Sequence, residues 1–382
     1  MAMLGDVVRL LRKLSDQEEE LIDLVSGAVS SDEKRYLVKL VKQKRARIRK
    51  EIVRSRLGDL TSVEIVSDID LSDLNAKVNR KLRLDAFREF SSRAYDSLPE
   101  MIAPRIVGFE NAKRAVASQL FSNERFHLLL LGDPGTGKTR LLQSAIDYSP
   151  VGTMGLGSGT TGVGLAITVK GKEVLPGLLP QADLGLCAID ELNLMKEESR
   201  ASLYNAMESG FVSYNKGGNS VRFDARVCIL ATANPKGDSF KGSSIDELRK
   251  QLPFDPALLS RFHLVFLVRK PDLKRFKDIG RNILGKDKRE VSEAEIEFIK
   301  EYVKFARDIK SVALPDKFKE EIVEFIGELK QDESNCLMEI TPRMIVGFER
   351  MAKAFARMEL REKVGEKDIA TVKEIVNSCL KD

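Results

Sequence analysis

The sequence predicts an α/β fold, with a parallel β-sheet covered by helices at its centre, a helical domain before it and an all-helical domain after it. Four apolar runs of strand length alternate with segments of helical periodicity, which is typical of a parallel sheet covered on both faces. These runs are 126–131, 184–189, 227–231 and 264–268. Because 382 residues exceed one ordinary core, we predict domains at 1–100, 101–271 and 272–382.

The two flanking domains are predicted from apolar residues at helical spacing, with few glycines or prolines between them. In the N-terminal domain this spacing is carried by Leu37, Leu40, Val41, Ile48 and Ile52. Residues 75–98 return to a helical pattern that leads to Pro99, and the chain after Pro271 is charged and helical to its end. We therefore expect helices in both flanking domains, with a short region of mixed β-branched and acidic residues at 61–74 between the two helical patterns of the first domain.

A basic segment lies within the N-terminal domain. From Lys34 to Arg56 the chain carries eleven lysines and arginines against the single acidic residue Glu51. Such a density can neutralise DNA phosphates, or it can form a solvated helix face that pairs with acidic neighbours. The composition does not decide between these two interpretations.

Composition also excludes several classes of protein. No run approaches the roughly 18 apolar residues of a membrane span, and acidic residues stand where a signal peptide needs an apolar core. We expect a cytoplasmic protein without a membrane partner. The cysteines Cys187, Cys228, Cys336 and Cys379 are far apart and show no CxxC spacing, which favours buried thiols over a metal or redox site.

A phosphate-binding loop follows the first apolar run of the central domain. Residues 132–139, GDPGTGKT, fit G-x-x-x-x-G-K-[ST] and stand between the strand-like FHLLLL and the helical RLLQSAI. Backbone N–H groups of such a loop converge on phosphate oxygens, and the following helix adds its positive end. We predict an ATP and Mg²⁺ site in which Lys138 reaches the β- and γ-phosphates and Thr139 ligates the metal. The remaining loop residues of this site are Asp133, Pro134, Gly135, Thr136 and Gly137.

Polar side chains at the ends of the next two strands complete the predicted chemistry. Asp190 and Glu191 follow the second apolar run, so Asp190 is expected to hold Mg²⁺ and Glu191 to act as the general base for attack on the γ-phosphate. Asn234 ends the third run and is expected to hold the attacking water. An asparagine before Pro235 can also simply end a strand in a turn.

Arg261 follows a short helical segment and immediately precedes the last apolar run. An arginine in this place faces outward, and in ring ATPases it stabilises transition-state charge in the neighbouring subunit's site. A surface arginine at a helix C-terminus is the alternative.

Two hairpins are predicted as insertions into the central domain. One turns at Lys170-Gly171-Lys172, and the other turns at Lys216-Gly217-Gly218. Lysines at such tips can hold a nucleic-acid backbone without reading its sequence, so Lys170 and Lys216 are candidate contacts to single- or double-stranded DNA.

Together these motifs resemble the minichromosome maintenance (MCM) helicases, a family of AAA+ ATPases with archaeal members. The resemblance covers roughly residues 95–380, from the entry segment IAPRIVGFENAKRAVASQLF through GDPGTGKT, CAIDE, TANP and LLSRF to ITPRMIVGFERMAKAFARMEL. It implies a P-loop AAA+ core with hairpin inserts and a helical lid, and a replication function that couples ATP hydrolysis to DNA binding or unwinding. It places Arg343 at the sensor 2 position and Lys216 at the DNA-gripping position of the pre-sensor 1 hairpin.

The resemblance also implies partners and a location. In that family Arg261 and Arg343 would act across a subunit interface, within a ring of like subunits or other MCM chains that is hexameric when active. A nucleoid-associated protein is then expected. The chain departs from the family pattern at Gly137, Thr139 and His263, and we find no counterpart of the zinc-binding and OB-fold region in its first 100 residues. The alternatives are a catalytically weak MCM paralogue that acts as a replication adaptor and a chelatase-like or MoxR-like remodeller of proteins.

Overall fold

The computed structural model describes residues 16–170, 173–216, 219–237, 239–242, 244–271, 273–284 and 290–380. The chain divides into two compact units, Met1–Arg93 and Ala94–Asp382. Residues 1–15 of the predicted N-terminal domain lie outside the described residues, and so do the hairpin-tip residues Gly171, Lys172, Gly217 and Gly218. The predicted domain boundaries near residues 100 and 271 stay predictions.

The first unit is built from two helices followed by a β-hairpin. Its elements are α1 (Asp16–Ser26), α2 (Ser31–Lys42), β1 (Ala46–Ser55) and β2 (Gly58–Ser67). Ser30 begins α2 because its hydroxyl accepts from the Glu33 N–H, while the Glu33 carboxylate accepts from the Ser30 N–H. Helix α3 (Ser72–Met101) continues across the division between the units and agrees with the helix predicted before Pro99.

The helix predicted around Ile48 and Ile52 is wrong, because these residues lie in β1, which pairs antiparallel with β2 along its whole length. A spacing of four residues returns to the same face in a strand as well as in a helix, so these two isoleucines could not distinguish the periods. The partner strand carries Val63 and Ile65 on its buried face. Gly58, at φ +109°, provides the left-handed residue that the turn requires.

Acidic neighbours pair with part of the basic segment. Within the first unit, the ammonium of Lys34 lies 3.4 Å from Asp23, and the guanidinium of Arg45 lies 2.8 Å from Asp68. A further pair joins Arg49 and Glu64 across the hairpin at 3.4 Å. These contacts favour the pairing with acidic neighbours that the second interpretation expects, but the helix face is wrong for residues 46–55, which form β1.

The second unit contains a five-stranded parallel sheet. Its strands are β3 (Leu128–Gly132), β4 (Gly152–Leu156), β7 (Leu186–Asp190), β10 (Cys228–Ala233) and β11 (Leu264–Val268), in the order β11-β3-β10-β7-β4. Every neighbouring pair is parallel, which confirms the predicted sheet and its four apolar strands. Strand β4 was not predicted, because its sequence GTMGL forms a partly exposed edge without a continuous apolar run.

Both predicted hairpins are present. Strands β5 (Ile167–Lys170) and β6 (Glu173–Pro176) pair antiparallel, as do β8 (Phe211–Lys216) and β9 (Asn219–Asp224). The remaining helices of this part are α4 (Glu110–Leu120), α5 (Lys138–Tyr148), α6 (Gly162–Ala166), α7 (Leu178–Gln181), α8 (Arg200–Ser209), α9 (Ile245–Lys250) and α10 (Pro256–Leu259). Helix α5 packs on β7, β10 and β4, and α4 packs against β3.

The described residues after β11 are helical, as predicted. They form α11 (Leu273–Leu284), α12 (Glu293–Arg307), α13 (Asp316–Gln331), α14 (Pro342–Met358) and α15 (Glu366–Leu380). Helix α15 packs against β11, and α14 packs against α4. Among the described residues, none of the helices has the length and apolar character needed to cross a bilayer.

Candidate nucleotide site and arginine face

The phosphate loop begins where β3 ends and α5 starts. Gly132 packs so closely on β11 that a Cβ there would lie 2.0 Å from the Val268 carbonyl oxygen. Gly135 and Gly137 have φ values of +79° and +91°, which glycine adopts without steric cost. The loop can therefore turn its backbone N–H groups inward and deliver Lys138 as the first residue of α5.

The Asp133 side chain stabilises the loop by contacts with the surrounding backbone. Its buried carboxylate accepts hydrogen bonds from the backbone N–H groups of Phe240, at 2.8 Å, and Lys270, at 2.9 Å. The Thr136 hydroxyl donates to the Asp133 carbonyl oxygen at 2.8 Å. Of the predicted loop residues, Asp133 is thus placed to position the others.

Lys138 has the properties expected of a phosphate-binding lysine. Its side chain is buried, and its ammonium donates to the carbonyl oxygens of Gly132 and Asp133, both at 2.7 Å. Burial lowers the pKa of Lys138 to about 8, against the opposing effect of the carboxylates of Asp133, Asp190 and Glu191. Among the described residues, the hydrogen-bond partners of this buried ammonium are carbonyl oxygens, and an anion would stabilise it further, so the loop fits a phosphate chain. Thr139 lies exposed in the first turn of α5.

A cleft of about 810 Å³ adjoins the loop. Its walls come from residues 105–110, which lead into α4, from the loop itself and from residues 269–271 with α11. Ile106, Phe109 and Phe276 provide apolar surface suited to a planar heteroaromatic base. Sequence reasoning placed this entry segment near the ATPase core but did not identify it as a wall of the site.

The acidic pair at the end of β7 is held by a residue that the sequence analysis missed. The Thr232 hydroxyl donates to the buried Asp190 carboxylate at 2.5 Å and accepts from the Glu191 N–H at 2.9 Å. Glu191 itself has a left-handed backbone, with φ 53°. Thr232 lies in β10 beside β7, so the strand order creates this contact, although the T of TANP was available as a signal.

Asn234 lies between the two parts of the site. It follows Ala233, which is opposite Leu131 in the β10–β3 pairing, and β10 stands between β3 and β7. Its backbone N–H donates to the Asn193 side chain at 3.0 Å. The sheet thus brings Lys138, Asp190, Glu191 and Asn234 to one edge, as predicted from the strand order.

Arg261 and Arg343 lie together, away from that edge. The Arg261 guanidinium donates to the Ala257 carbonyl oxygen at 2.5 Å, lies 3.3 Å from the Glu208 carboxylate and stands over the Tyr204 ring at 4.5 Å. Arg343 donates to the carbonyl oxygen of Ser260, the residue before Arg261, at 2.9 Å. Burial lowers the pKa of Arg343, against the smaller opposing effect of the Glu208 carboxylate. We call this set, Arg261 and Arg343 with Glu208 and Tyr204, the arginine face.

The arginine face and the phosphate loop are at opposite ends of the sheet. In the parallel β11–β3 pair, Val268 is opposite Gly132 at the loop end, and Leu264 is opposite Leu128 at the other end. Arg261 precedes Leu264, so its distance from the loop is greater than the length of β11, in which each residue adds about 3.3 Å. Neither arginine is therefore placed to reach the phosphates of a nucleotide bound at the phosphate loop of the same chain.

The two hairpin lysines lie at the ends of strands. Lys170 pairs with Glu173 at the end of β5, and Lys216 pairs with Asn219 at the end of β8. The side chains of Lys170 and Lys216 lie outside the described residues. Their contact with DNA stays a prediction.

The donor groups fit a magnesium site better than a zinc or redox site. Within the described residues there is no group of three or more histidine, cysteine, aspartate or glutamate side chains close enough to hold a metal. All four cysteines are buried, as predicted. Burial raises the pKa of the Cys187 thiol to about 11 and that of Cys379 to about 12. Asp190 and the Thr139 hydroxyl are hard oxygen donors of the kind that bind Mg²⁺ together with phosphate oxygens.

The sheet order, with the phosphate loop after β3, the acidic pair after β7 and the arginine face before β11, defines a P-loop ATPase fold of the AAA+ type. Comparison with known families agrees: the family model described as the MCM P-loop domain matches residues 83–287, and the MCM AAA-lid domain matches residues 297–380. The chain belongs to the MCM family.

Its relatives include DNA replication licensing factor MCM4 of Arabidopsis thaliana, which is 32% identical over 339 residues, covering 79% of this chain and 40% of the relative. The minichromosome maintenance protein MCM of Saccharolobus solfataricus is 28% identical over 331 residues, covering 80% of this chain and 47% of that protein. The probable DNA helicase MCM8 of Arabidopsis thaliana is 29% identical over 383 residues, with coverages of 82% and 47%. The chain thus spans less than half the length of these relatives.

Proposed function

We propose that this chain is an ATP-hydrolysing subunit of an MCM-type ring, and that ATP binding and hydrolysis are coupled to DNA binding or unwinding in replication. The placement of the arginine face at the opposite end of the sheet from the phosphate loop carries the proposal. Each subunit therefore has a nucleotide site at one end of its strands and an arginine face at the other end. The arginine face can supply the arginines that the nucleotide site of a neighbouring subunit lacks. Each site then needs one neighbouring subunit to complete it, and a closed ring of such subunits completes every site.

In this proposal the loop and the cleft bind ATP. Lys138 exchanges its carbonyl partners for phosphate oxygens, and the apolar walls formed by Ile106 and Phe276 hold the base. Bound Mg²⁺ would neutralise charge on the phosphates, with Thr139 and Asp190 as its protein ligands. The membership of the MCM family and the buried ammonium of Lys138 within the loop support this assignment.

Hydrolysis then depends on Glu191 and Asn234. The Glu191 carboxylate accepts a proton from the attacking water as the water oxygen bonds to the γ-phosphorus, and the bond from that phosphorus to the bridging oxygen of ADP breaks. Asn234 orients the water without adding charge. Thr232 keeps Asp190 and Glu191 in their places, because one hydroxyl contacts the carboxylate of the first and the N–H of the second.

Arg261 and Arg343 act on the neighbouring subunit's nucleotide. In the single chain the Arg261 guanidinium is held beside the Glu208 carboxylate and over the Tyr204 ring, so it is already positioned before a neighbouring subunit binds. A guanidinium that meets a γ-phosphate across the interface stabilises the charge that develops in the transition state. DNA would contact Lys170 and Lys216 through its backbone, independently of sequence. A replication adaptor would have the same ATP site with little turnover.

Mixed assemblies test the proposal. Lys138→Ala should abolish ATP binding in calorimetry, and Arg261→Ala should leave binding intact while removing hydrolysis. If the arginine acts across an interface, mixing the two inactive variants should restore ATPase activity at composite sites that neither variant forms alone.

Each variant mixed with itself is the control, and sedimentation with ATP and DNA gives the size of the assembly. Arg261→Ala chains that hydrolyse ATP as well as the wild type would contradict the proposed role. Assembly without turnover would instead support the adaptor.

A further inference from the structure

We propose that the buried pair His127 and His263 positions the arginine face for the neighbouring subunit. The inference rests on the proposed role of Arg261 between subunits. Both histidines are buried, and their rings lie 5.1 Å apart at the end of the sheet where the arginine face lies. They are the only two histidines of the chain. His263 stands two residues after Arg261, at a position where the family pattern has an aspartate.

Each ring accepts a hydrogen bond from a backbone N–H, and these bonds settle the two tautomers. The His263 Nδ1 accepts from the His127 backbone N–H at 3.0 Å, and the His127 Nδ1 accepts from the Ile229 N–H at 3.2 Å. Each ring is therefore neutral, with its proton on Nε2. The His127 Nε2–H then donates to the Met207 carbonyl oxygen at 3.3 Å.

These contacts reach Arg261 by two routes. Through the chain, His263 ties the residue before β11 to the residue before β3, since its own N–H also donates to the His127 carbonyl oxygen at 2.9 Å. Through space, His127 holds the Met207 carbonyl at the end of α8, and the next residue, Glu208, lies 3.3 Å from the Arg261 guanidinium. One histidine pair thus sets both the backbone that carries Arg261 and the carboxylate that holds its side chain.

The same pair also contacts the helix that carries Arg343. Helix α14 packs on His263 so closely that a Cβ on Gly347 would lie 2.9 Å from the His263 Cβ. Because His263 Nε2 carries a proton, it cannot accept from the Arg350 guanidinium 3.4 Å away. Arg350 is directed instead to the Glu124 carboxylate, at 3.2 Å, and to the Arg125 carbonyl oxygen. The contact of His263 with α14 is therefore the close approach of its side chain to Gly347 rather than a hydrogen bond that it accepts from Arg350.

The phosphate loop is not part of this network. The described contacts of His127 and His263 lie with β10, α8, β11 and α14, at the far end of the strands from Gly132. Loss of the pair should therefore disturb the surface offered to a neighbour and spare the chain's own nucleotide binding. A merely structural role would weaken both.

The test uses His263→Leu, which removes the acceptor, and His263→Asn, which keeps an acceptor near the position of Nδ1. We expect His263→Leu to lower kcat of the assembly by about 10- to 100-fold, as a small displacement of a positioned group does. ATP affinity should stay unchanged, and His263→Asn should retain most of the activity. In mixtures, His263→Leu should be complemented by Lys138→Ala chains, which still carry an intact arginine face, and not by Arg261→Ala chains.

Hydrogen–deuterium exchange on the unassembled chain tests the positioning directly. In His263→Leu, exchange should rise in residues 200–210 and 256–263 and stay unchanged in residues 132–145, while His263→Asn should match the wild type. If His263→Leu does not fold, His127→Asn replaces it, because it keeps the acceptor for Ile229 and loses the donor to Met207.

Complementation by Arg261→Ala, equal exchange in all variants, or loss of ATP binding would overturn the inference. A wild-type rate in Arg261→Ala would instead overturn the proposed function, whatever the histidine variants do.

Discussion

Acid should destabilise this protein through His127. Burial lowers the pKa of His127 from 6.5 to about 3, and the neighbouring charges of Arg350, Arg125 and Arg343 act in the same direction, against the opposing hydrogen bond with the Met207 carbonyl. The folded chain therefore keeps this imidazole neutral, whereas the unfolded chain protonates it below about pH 6.5. The free energy of unfolding must fall as the pH decreases from 6.5 toward 3.

The magnitude follows from the two pKa values. Each pH unit within that window costs up to about 1.4 kcal/mol for one proton, so at pH 5 His127 should have lowered the free energy of unfolding by roughly 2 kcal/mol. His263 should add to the loss, because burial lowers its pKa well below 6.5 and the pair is neutral for the same reason. Above about pH 7 both states carry neutral histidines, and this contribution to the pH dependence should disappear.

Urea unfolding measured by circular dichroism between pH 5 and 7.5 tests this expectation, since the chain has no tryptophan for fluorescence. His127→Asn keeps the acceptor for the Ile229 N–H and cannot titrate. Its stability at pH 7.5 will be lower, but the difference from the wild type should shrink by roughly 2 kcal/mol as the pH falls to 5. A difference that is the same at both pH values would refute a neutral, buried His127.

Three further predictions concern the site. Glu191→Gln should keep ATP bound and lower turnover by about 10²- to 10⁴-fold in an active assembly, because the amide cannot accept the proton; single-turnover hydrolysis at the wild-type rate would exclude Glu191 as the base. Thr232→Val should cost about 1–3 kcal/mol of stability in urea unfolding and also lower kcat, since the buried Asp190 loses a donor; Thr232→Ser, which keeps the hydroxyl, should behave as the wild type, and equal effects of the two would contradict this. Lys216→Ala should weaken DNA binding and flatten its salt dependence by about one unit, unlike Lys319→Ala on the exposed face of α13; unchanged DNA affinity would make the hairpin a protein contact.

Patterns with a single physical solution were predictable from the sequence. The phosphate loop needs glycines at positive φ before a helix, so GDPGTGKT predicted the turn and the start of α5 at Lys138. Buried parallel strands need continuous apolar runs, and β3, β7, β10 and β11 have them. The order of these strands along the chain then predicted which polar residues follow them at the loop edge.

Patterns that fit two structures were not predictable. Ile48 and Ile52 suit a helix or a strand, and only pairing with the strand that contains Val63 and Ile65 decides between them. The edge strand β4 has no continuous apolar run, since the residues of GTMGL are exposed or half-buried, and only its pairing with β7 identifies it as a strand. In each of these places the deciding contact comes from a residue distant in the chain.

By itself, therefore, the sequence determined the class of fold, the loop that binds phosphate and the carboxylates expected beside it, because each depends on residues adjacent in the chain. The tertiary structure alone decided that Thr232 holds Asp190 and Glu191, that Asp133 stabilises the loop, and that His127 meets His263 beneath the arginine face. These contacts join residues from different strands. Their geometry follows from the order and register of the sheet, which no local pattern of residues specifies.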